Sequence, residues 1–383
     1  MSDSNTGALT LRGGRVIDPI AGSDDVRDLA VSGGRIVAAG DATSSAETLD
    51  VSGMMVVPGL IDYHVHVYEG VSHYGIDADT YCLQRGVTTA VDAGSAGAQT
   101  FPGFQRFIIS AAKTDILAFL NISTSGLLIP EVGELEDSRF LISEKAIAVA
   151  RQYPESIIGI KIRVGEPMTD DDPGKQLREA KAVARELNLP MMVHITDTLL
   201  PLDAVLEPMT DGDVITHCFH GKRGGVIDEH GHVHSYVRDA IDRGVLLDVA
   251  HGRSSFSFDV ARAALADGVA PHFTSSDLHI YCADGPAFDL TTCMSKMLHV
   301  GMSFEDMLAS VTSRPAAALG RADELGSLKV GTTADITVLE SLEGRWEFKD
   351  AEGSTNVVEQ FLVPRWVVKN GVATKLQPSV HER

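Results

Sequence analysis

Polar side chains able to bind metal ions follow several short apolar runs of the sequence. In the first run, His64 and His66 are two residues apart, so on a β-strand both imidazoles lie on one face and Val65 lies on the other. Two neutral imidazoles in that geometry can hold one divalent ion. Four later runs each end in a further candidate ligand, and these are Lys161, His194, His217 and Asp277. The six residues together predict a metal centre.

Lys161 is the most informative of these residues. It alternates with Ile160 and Ile162, so it projects inward if the isoleucines pack outward. A bare ammonium group is costly to bury, whereas reaction with CO2 gives a lysine carbamate, an anionic ligand with two oxygens that can bridge two metals. The alternative is a lysine that extends its ammonium group to solvent at the strand end. Each histidine taken alone could likewise be structural, and Asp277 could be a helix N-cap.

The runs that carry these residues alternate with amphipathic stretches typical of helices. Eight runs have the length and composition of buried strands: residues 60–66, 87–93, 116–121, 157–162, 190–194, 214–217, 245–249 and 272–276. Repeated strand and helix units predict a parallel sheet, and eight units predict an α/β fold closed as a (β/α)8 TIM-type barrel over residues 59–320. The active site of such a barrel lies at the carboxyl ends of the strands, where all six candidate ligands are expected.

Both ends of the chain have a different texture, in which short alternating runs flank glycine-containing turns. Residues 9–12 and 15–18 surround Gly13 and Gly14, and similar runs occur at 334–339 and 366–372. This pattern is typical of antiparallel hairpins. The sequence therefore predicts a small β-sandwich domain made of residues 1–58 plus 321–383, into which the barrel is inserted.

The composition of the chain indicates which classes of binding partner and which cellular compartment to expect. The net charge of −21 argues against binding to nucleic acid or to an anionic membrane surface. The four cysteines form no CxxC pair, the first residues have neither the basic nor the apolar region of a signal peptide, and no apolar run is long enough to span a membrane. We therefore expect a cytoplasmic protein with a small-molecule substrate; the sequence leaves the oligomeric state open, a homo-oligomer included.

The order HxH, Lys, His, His and Asp along successive barrel strands resembles the binuclear branch of the amidohydrolase superfamily. The similarity covers essentially the whole chain and is closest to the amidohydrolase/deacetylase metallohydrolases, a dihydroorotase-like family. The stretches that carry the closer resemblance are residues 58–66, 159–163, 216–221 and 274–279.

The resemblance implies a ligand arrangement and a mechanism. His64, His66, Lys161 and Asp277 would hold the more buried of two divalent metal ions, and Lys161 as a carbamate, His194 and His217 would hold the more exposed one. Zinc is the expected metal for such ligands, and manganese, iron and cobalt are the alternatives that the ligand types leave open. A water bridging the metals would become hydroxide near neutral pH and attack the scissile carbonyl. Asp277 would take the proton and pass it to the leaving group.

The charge of such a centre predicts an anionic substrate. Two divalent cations, one carbamate, one aspartate and one hydroxide sum to about +1, because bound imidazoles are neutral. Arg163 and Arg253 are the candidates to bind a substrate carboxylate, although each could instead be a surface arginine in an ion pair. Three further residues are expected to line the pocket: His251, His279 and Tyr281.

Departures from related families narrow the expected reaction. Dihydroorotases usually carry an arginine two residues after the second histidine, where this chain has Tyr68; D-aminoacylases tend to use a cysteine that is missing from strand 87–93; mononuclear deaminases lack the lysine. We therefore expect an enzyme that removes an acyl group, foremost acetyl, from a small carboxylate-bearing compound, either an N-acyl amino acid or an O-acyl hydroxy acid. The alternatives are a cyclic-amide hydrolase of the dihydroorotase or hydantoinase type and a non-catalytic scaffold.

Overall fold

Strands from both ends of the chain form one hydrogen-bonded sheet. The computed structural model describes residues 7–38, 46–166, 168–169 and 172–382. With strands numbered in chain order, this terminal sheet contains β1 (Leu9–Asp18), β2 (Ser23–Ser32), β3 (Arg35–Val37), β4 (Glu47–Asp50), β5 (Met55–Pro58), β13 (Ile336–Lys349), β14 (Thr355–Lys369) and β15 (Val372–Lys375). The order is β15-β14-β13-β5-β1-β2-β3, and β4 pairs with β1. The expected contribution of both termini to a separate β unit is confirmed, whereas its exact boundaries remain a prediction.

The terminal sheet folds around its own hydrophobic core. Strand β1 changes register at Gly13 and Gly14, so that its first half pairs with β4 and its second half with β5. An irregularity of this kind bends and twists a strand. Leu11, Val56 and Ile336 are fully buried or nearly so in the resulting core, which is distinct from the main core of the barrel.

The predicted parallel sheet of the middle segment is confirmed. Its strands follow the chain order without exchange, as expected when each helical crossover returns to the neighbouring position. The members are β6 (Leu60–Val65), β7 (Val87–Gly97), β8 (Asp115–Asn121), β9 (Ile157–Arg163), β10 (Met191–His194), β11 (Val214–Thr216) and β12 (Leu246–Asp248). Aromatic and aliphatic side chains, among them Tyr63, Phe119 and Phe273, fill the interior, so the barrel is a packed core beneath its carboxyl-terminal rim.

Residues 273–278 lie between β12 and β6 in the barrel and close the ring without forming a regular strand. The prediction of an eighth strand at 272–276 is therefore wrong as to its regularity, although isolated parallel bridges join Phe273 to Asp248 and Leu278 to Val65. Side chains replace part of the backbone ladder, because Ser276 donates through its amide and hydroxyl to the Asp62 carboxylate at 3.0 and 2.5 Å. Short polar side chains compete with strand pairing in this way. The TIM-type architecture itself is confirmed.

Helices surround the barrel. They are α1 (Ala78–Tyr81), α2 (Phe101–Phe104), α3 (Ser143–Gln152), α4 (Pro173–Leu187), α5 (Leu202–Leu206), α6 (Ser235–Asp242), α7 (Phe258–Ala266), α8 (Leu290–His299), α9 (Phe304–Ser310) and α10 (Ser313–Ala318). Helix α4 shows why they form: Asp172 caps its start by accepting from Lys175 N, and Asn188 ends it in the left-handed conformation. Its Leu177 and Ala180 are buried against the barrel. Within the described part of the chain, no helix has the length and apolarity required to cross a bilayer.

Candidate metal centre

All six predicted ligands line one cavity of about 300 Å³ at the carboxyl ends of the barrel strands. Ligand atoms of His64, His217 and Asp277 lie within 4.8 Å of one another. The Nε2 atoms of His64 and His66 are each 3.4 Å from Asp277 Oδ1. The ends of β6, β10 and β11 and the segment that closes the ring thus bring together side chains that are distant in the sequence.

The other ring nitrogens of His64 and His66 are held from behind. His64 Nδ1 lies 2.8 Å from Thr216 Oγ1 and 3.1 Å from Asp248 Oδ2. His66 Nδ1 lies 2.9 Å from Ser95 Oγ. Metal-binding histidines are commonly oriented by such partners on the second nitrogen, and here the partners turn both Nε2 atoms toward the cavity.

His194 and His217 form a second pair of imidazoles, with ring centroids 4.3 Å apart. His217 Nδ1 donates to the Ala250 carbonyl at 2.9 Å, and His194 Nε2 donates to the Thr196 carbonyl at 3.0 Å. These bonds leave His217 Nε2 and His194 Nδ1 as the lone-pair nitrogens of the neutral rings. Each ring can therefore offer one nitrogen to a metal.

Two of the candidate ligands have left-handed backbone conformations. The φ angle is 72° at His217 and 48° at Asp277. For a residue with a side chain this conformation costs about 1 kcal/mol or more, and it persists only where the surroundings enforce it. Both side chains line the cavity from these left-handed positions.

Lys161 lies inside the barrel rather than at its surface. It is 2% exposed, and its Nζ lies 3.4 Å from Met192 Sδ. No ion pair of this ammonium group is found among the described residues. Burial lowers the pKa of Lys161 to about 7, because a charged group loses hydration in the interior. In a substantial fraction of the molecules, Lys161 is therefore an uncharged amine at neutral pH.

Burial also keeps the imidazoles uncharged. It lowers the pKa of His66 to about 3 and the pKa of His64, His194 and His217 well below the ordinary value. Metals bind the neutral imidazole. Burial raises the pKa of Asp277 to about 6. Neutral nitrogen donors, one carboxylate and a reactive buried amine form a donor set that fits a pair of divalent cations.

The two predicted carboxylate-binding arginines differ in their surroundings. Both line the cavity, but Arg163 is paired bidentately with Glu134, with Nε–Oε1 and Nη2–Oε2 distances of 2.6 and 2.5 Å. Arg253 is exposed, and the described residues offer it no ion pair. Glu134 lies in the long connection after β8, where no sequence pattern predicts it as a partner of Arg163.

Of the three other residues predicted to line the pocket, two do so and one does not. His279 and Tyr281 line the cavity, whereas His251 does not: the structure corrects that expectation, because the ring is buried and its Nε2 lies 2.8 Å from Lys296 Nζ. Tyr68 is also outside the cavity, donating its hydroxyl to the Thr100 carbonyl at 3.0 Å and packing on Phe104.

Sequence reasoning missed several residues that shape the site. Asp248 could have been found, since a carboxylate ends the apolar run of β12 just as the ligands end theirs. Asp248 contacts His64 from outside the cavity. The lining residues that were not predicted come from loops without a recognisable pattern, and they are His73, Tyr74, Pro130, Met168, Thr196, Asp197, Ser254 and Ser255.

Comparisons with known proteins agree on one group of enzymes. The family model described as the amidohydrolase family matches residues 55–372. A deacetylase from Agrobacterium fabrum is 36% identical over 351 residues, which cover 90% of this chain and 86% of that protein. A deacetylase from Enterococcus faecalis is 33% identical over 86% of this chain and 89% of its own. A dihydroorotase from Syntrophotalea carbinolica is 26% identical over 91% and 92%.

Solved structures give the same picture. A crystal structure of a dihydroorotase has a TM-score of 0.89 and 33% identity, covering 97% of this chain and 100% of that one. A crystal structure of an adenine deaminase has a TM-score of 0.88 and 30% identity, covering 96% and 99%. Both similarities extend over the barrel and the terminal sheet together.

Proposed function

The chain belongs to the amidohydrolase family, and from this premise we propose that it removes an acyl group, foremost acetyl, from a small carboxylate-bearing compound. Membership of the family makes it a hydrolase. One observation carries the proposal: four imidazoles, Lys161 and Asp277 converge on a single buried cavity. The deacetylases among the similar proteins support the reaction type.

Two divalent metal ions, zinc by preference, are the proposed cofactors. His64, His66 and Asp277 would hold one, His194 and His217 the other, and Lys161 would bridge them. Bound there, they would supply Lewis acidity toward the scissile carbonyl and make water acidic enough to ionise near neutral pH. Ligand atoms of His64, His217 and Asp277 lie within 4.8 Å of one another, and His66 Nε2 lies 3.4 Å from Asp277 Oδ1, which supports a metal site here. The division of the ligands between two ions follows the resemblance to binuclear amidohydrolases.

Lys161 is proposed to act as a carbamate. Its uncharged amine nitrogen attacks the carbon of CO2, one C–O π pair moves onto oxygen, and the nitrogen releases a proton, giving R–NH–COO⁻. This change converts a buried cation into the anion that a cationic centre requires. The lowered pKa of Lys161, about 7, supports the first step because only the unprotonated amine is nucleophilic.

Asp277 is the proposed proton carrier. Its Oδ1 faces the imidazoles of His64 and His66 at 3.4 Å, so it lies beside the position where water would attack. It would accept the proton of the attacking water and donate it to the departing nitrogen or oxygen. Burial of the site restricts exchange of that proton with bulk solvent.

Arg253 is the proposed partner of the substrate carboxylate. Glu134 neutralises Arg163, so that guanidinium adds little net positive charge to the cavity. Arg253 lines the same cavity and has no ion pair among the residues that the structure describes. A planar guanidinium can bind a carboxylate through two hydrogen bonds, and this contact would select acidic substrates.

The second candidate is a cyclic-amide hydrolase, and the similarity to a solved dihydroorotase favours it. The same metals would serve a different pocket. Tyr68 counts against it, because the position where dihydroorotases usually carry a substrate-binding arginine holds a tyrosine that points away from the cavity toward Thr100.

A substrate panel tests the proposal. Zinc-loaded protein is assayed with N-acetyl amino acids and O-acetyl hydroxy acids. Dihydroorotate, hydantoin and adenine are tested as alternative substrates in separate assays. We expect acetate release from one of the first two classes and its loss on chelation. Turnover confined to a cyclic amide or to adenine would overturn the deacetylase assignment, and protein that retains no metal would favour a scaffold.

A further inference from the structure

Lys296, on α8, is a buried lysine without a carboxylate partner in the described part of the chain. It is 0% exposed. Its Nζ donates to the carbonyls of Pro286 and Lys349, both at 2.7 Å, and to His251 Nε2 at 2.8 Å. Three acceptors match the three N–H donors of an ammonium group. Burial lowers its pKa to about 8, so the ammonium form prevails at neutral pH.

The three acceptors belong to separate parts of the fold. Pro286 precedes α8, Lys349 ends β13 of the terminal sheet, and His251 follows β12 of the barrel. Lys296 therefore joins the terminal sheet to residues 250–252, a segment at the carboxyl-terminal rim of the barrel.

The tip of the β13–β14 hairpin docks on Phe256 and Phe258, which follow residues 250–252 in the chain. Asp350 Oδ2 accepts from Phe258 N at 3.2 Å, and Ala351 N donates to the Phe256 carbonyl at 2.9 Å. The Phe256 ring stacks on His251 with centroids 4.6 Å apart. The hairpin thus supports His251 through Phe256, and Lys296 supports it directly.

Residues 250–252 also lie against the segment that carries Asp277. His251 Nδ1 donates to the Gly252 carbonyl at 2.9 Å, and Gly252 N donates to the Ser276 carbonyl at 2.9 Å. A Cβ on Gly252 would be only 2.2 Å from Asp277 Oδ2. The carboxylate therefore rests directly against the Gly252 backbone.

The segment also holds His217. The Ala250 carbonyl accepts from His217 Nδ1 at 2.9 Å, and this bond sets the orientation of the imidazole. Ala250 has a φ of 40°, a conformation that a residue with a side chain keeps only where its neighbours enforce it. Residues 250–252 thus contact two of the candidate ligands.

We propose that Lys296 is a positioning residue for the hydrolytic site: through His251 it fixes residues 250–252 and, with them, the orientation of His217 and Asp277. The inference rests on the proposed metal centre. Rotation of His251 would leave a buried N–H donor of Lys296 without a partner, and withdrawal of Lys296 would leave three buried acceptors without partners. Either change is strongly unfavourable in the interior. The bonds to Pro286 and Lys349 hold Lys296 in place, and its bond to His251 Nε2 holds the ring against which residues 250–252 are arranged.

Cobalt spectroscopy of the full-length protein provides the test, because visible bands of Co²⁺ report ligand geometry independently of turnover. Lys296→Met keeps a long apolar side chain and removes the donors. Lys181→Met is the matched control, since Lys181 is also buried and hydrogen-bonded, to Asp213 and Thr210, but near the amino ends of β10 and β11. Each protein is loaded with Co²⁺, and metal content, absorption spectrum, kcat and KM are measured.

We expect Lys296→Met to alter the Co²⁺ spectrum and to lower kcat by about tenfold or more, as loss of groups that orient metal ligands does, while Lys181→Met keeps the wild-type spectrum. A wild-type spectrum and kcat in Lys296→Met would overturn the inference, as would the same changes in Lys181→Met. If Lys296→Met does not yield folded protein, His251→Phe decides on the same criteria. Wild-type protein that gives no Co²⁺ bands would instead refute the metal centre, and the inference with it.

Discussion

Gly94 lies directly against the side chain of Lys161. A Cβ placed on Gly94 would be 2.7 Å from both Cβ and Cγ of the lysine, well inside van der Waals contact. The φ of 93° at Gly94 also disfavours any residue with a side chain. This glycine, in the second half of β7, therefore leaves the room through which Lys161 reaches the cavity from β9.

Gly94→Ala should lower activity by displacing Lys161. A shift of about 1 Å in a catalytic group can cost on the order of 100-fold in rate, and we expect a loss of that size together with reduced metal content. Gly268→Ala is the control, because Gly268 also has a positive φ, 80°, but open space around its Cβ position. Equal losses in both variants would mean that backbone strain alone explains the effect.

Asp277→Asn should leave the fold intact and abolish most turnover. The amide keeps the size of the side chain but cannot accept the proton of the attacking water, and general acid–base catalysis contributes about 100- to 10,000-fold. The measurement is kcat at saturating substrate, with thermal unfolding and metal content as controls for folding and loading. Turnover near that of the wild type would refute the proton-carrying role of Asp277.

Arg253→Met should raise KM for a carboxylate-bearing substrate by about 10- to 100-fold, the range for a charge-assisted contact, with little change in kcat. The comparison is made with the same substrate as its neutral methyl ester, for which the variant and the wild type should differ little. An unchanged KM for the acid would show that another group binds the carboxylate.

Arg163→Met should act mainly on stability. Removing this guanidinium leaves the Glu134 carboxylate, whose side chain is 2% exposed, without its partner in the interior. Breaking a buried pair from one side costs about 3–5 kcal/mol. Chemical denaturation measures the loss, and the double variant Arg163→Met with Glu134→Leu should recover part of it. A single variant as stable as the wild type would contradict the structural role of the pair.

Lys161→Ala should lose the bridging ligand and most of its bound metal, and short carboxylic acids such as acetate or propionate should restore part of the activity. A small carboxylate can enter the space of the missing side chain and present two oxygens, as the carbamate would. Lys181→Ala, a buried lysine at the opposite end of the barrel, should show no such restoration. Full activity of Lys161→Ala without added acid would remove the lysine from the mechanism.

The sequence predicted the rim of the barrel better than its loops. His64, His66, Lys161, His194 and His217 each end a regular apolar run, and strand periodicity determines which way such residues face. The barrel followed from the same runs. Among the barrel strands, only the eighth departed from the prediction, because Ser276 donates to the Asp62 carboxylate through its amide and hydroxyl where a strand ladder was expected.

Contacts between distant loops could not be predicted in this way. Glu134 pairs with Arg163 across a long connection, and His251 bonds to Lys296 although it follows a barrel strand just as the ligands do. Which side chain meets which depends on the path of the loops and on the docked hairpin of the terminal sheet. Neither leaves a periodic trace in the sequence.

Carboxylation of Lys161 can be observed directly in the ¹³C NMR spectrum of protein reconstituted with zinc and ¹³C-labelled bicarbonate. We expect a single protein-bound carbamate resonance in the wild type that is absent from Lys161→Ala prepared identically. A catalytically active, metal-loaded wild type without that resonance would contradict the assignment of Lys161 as a carboxylated ligand.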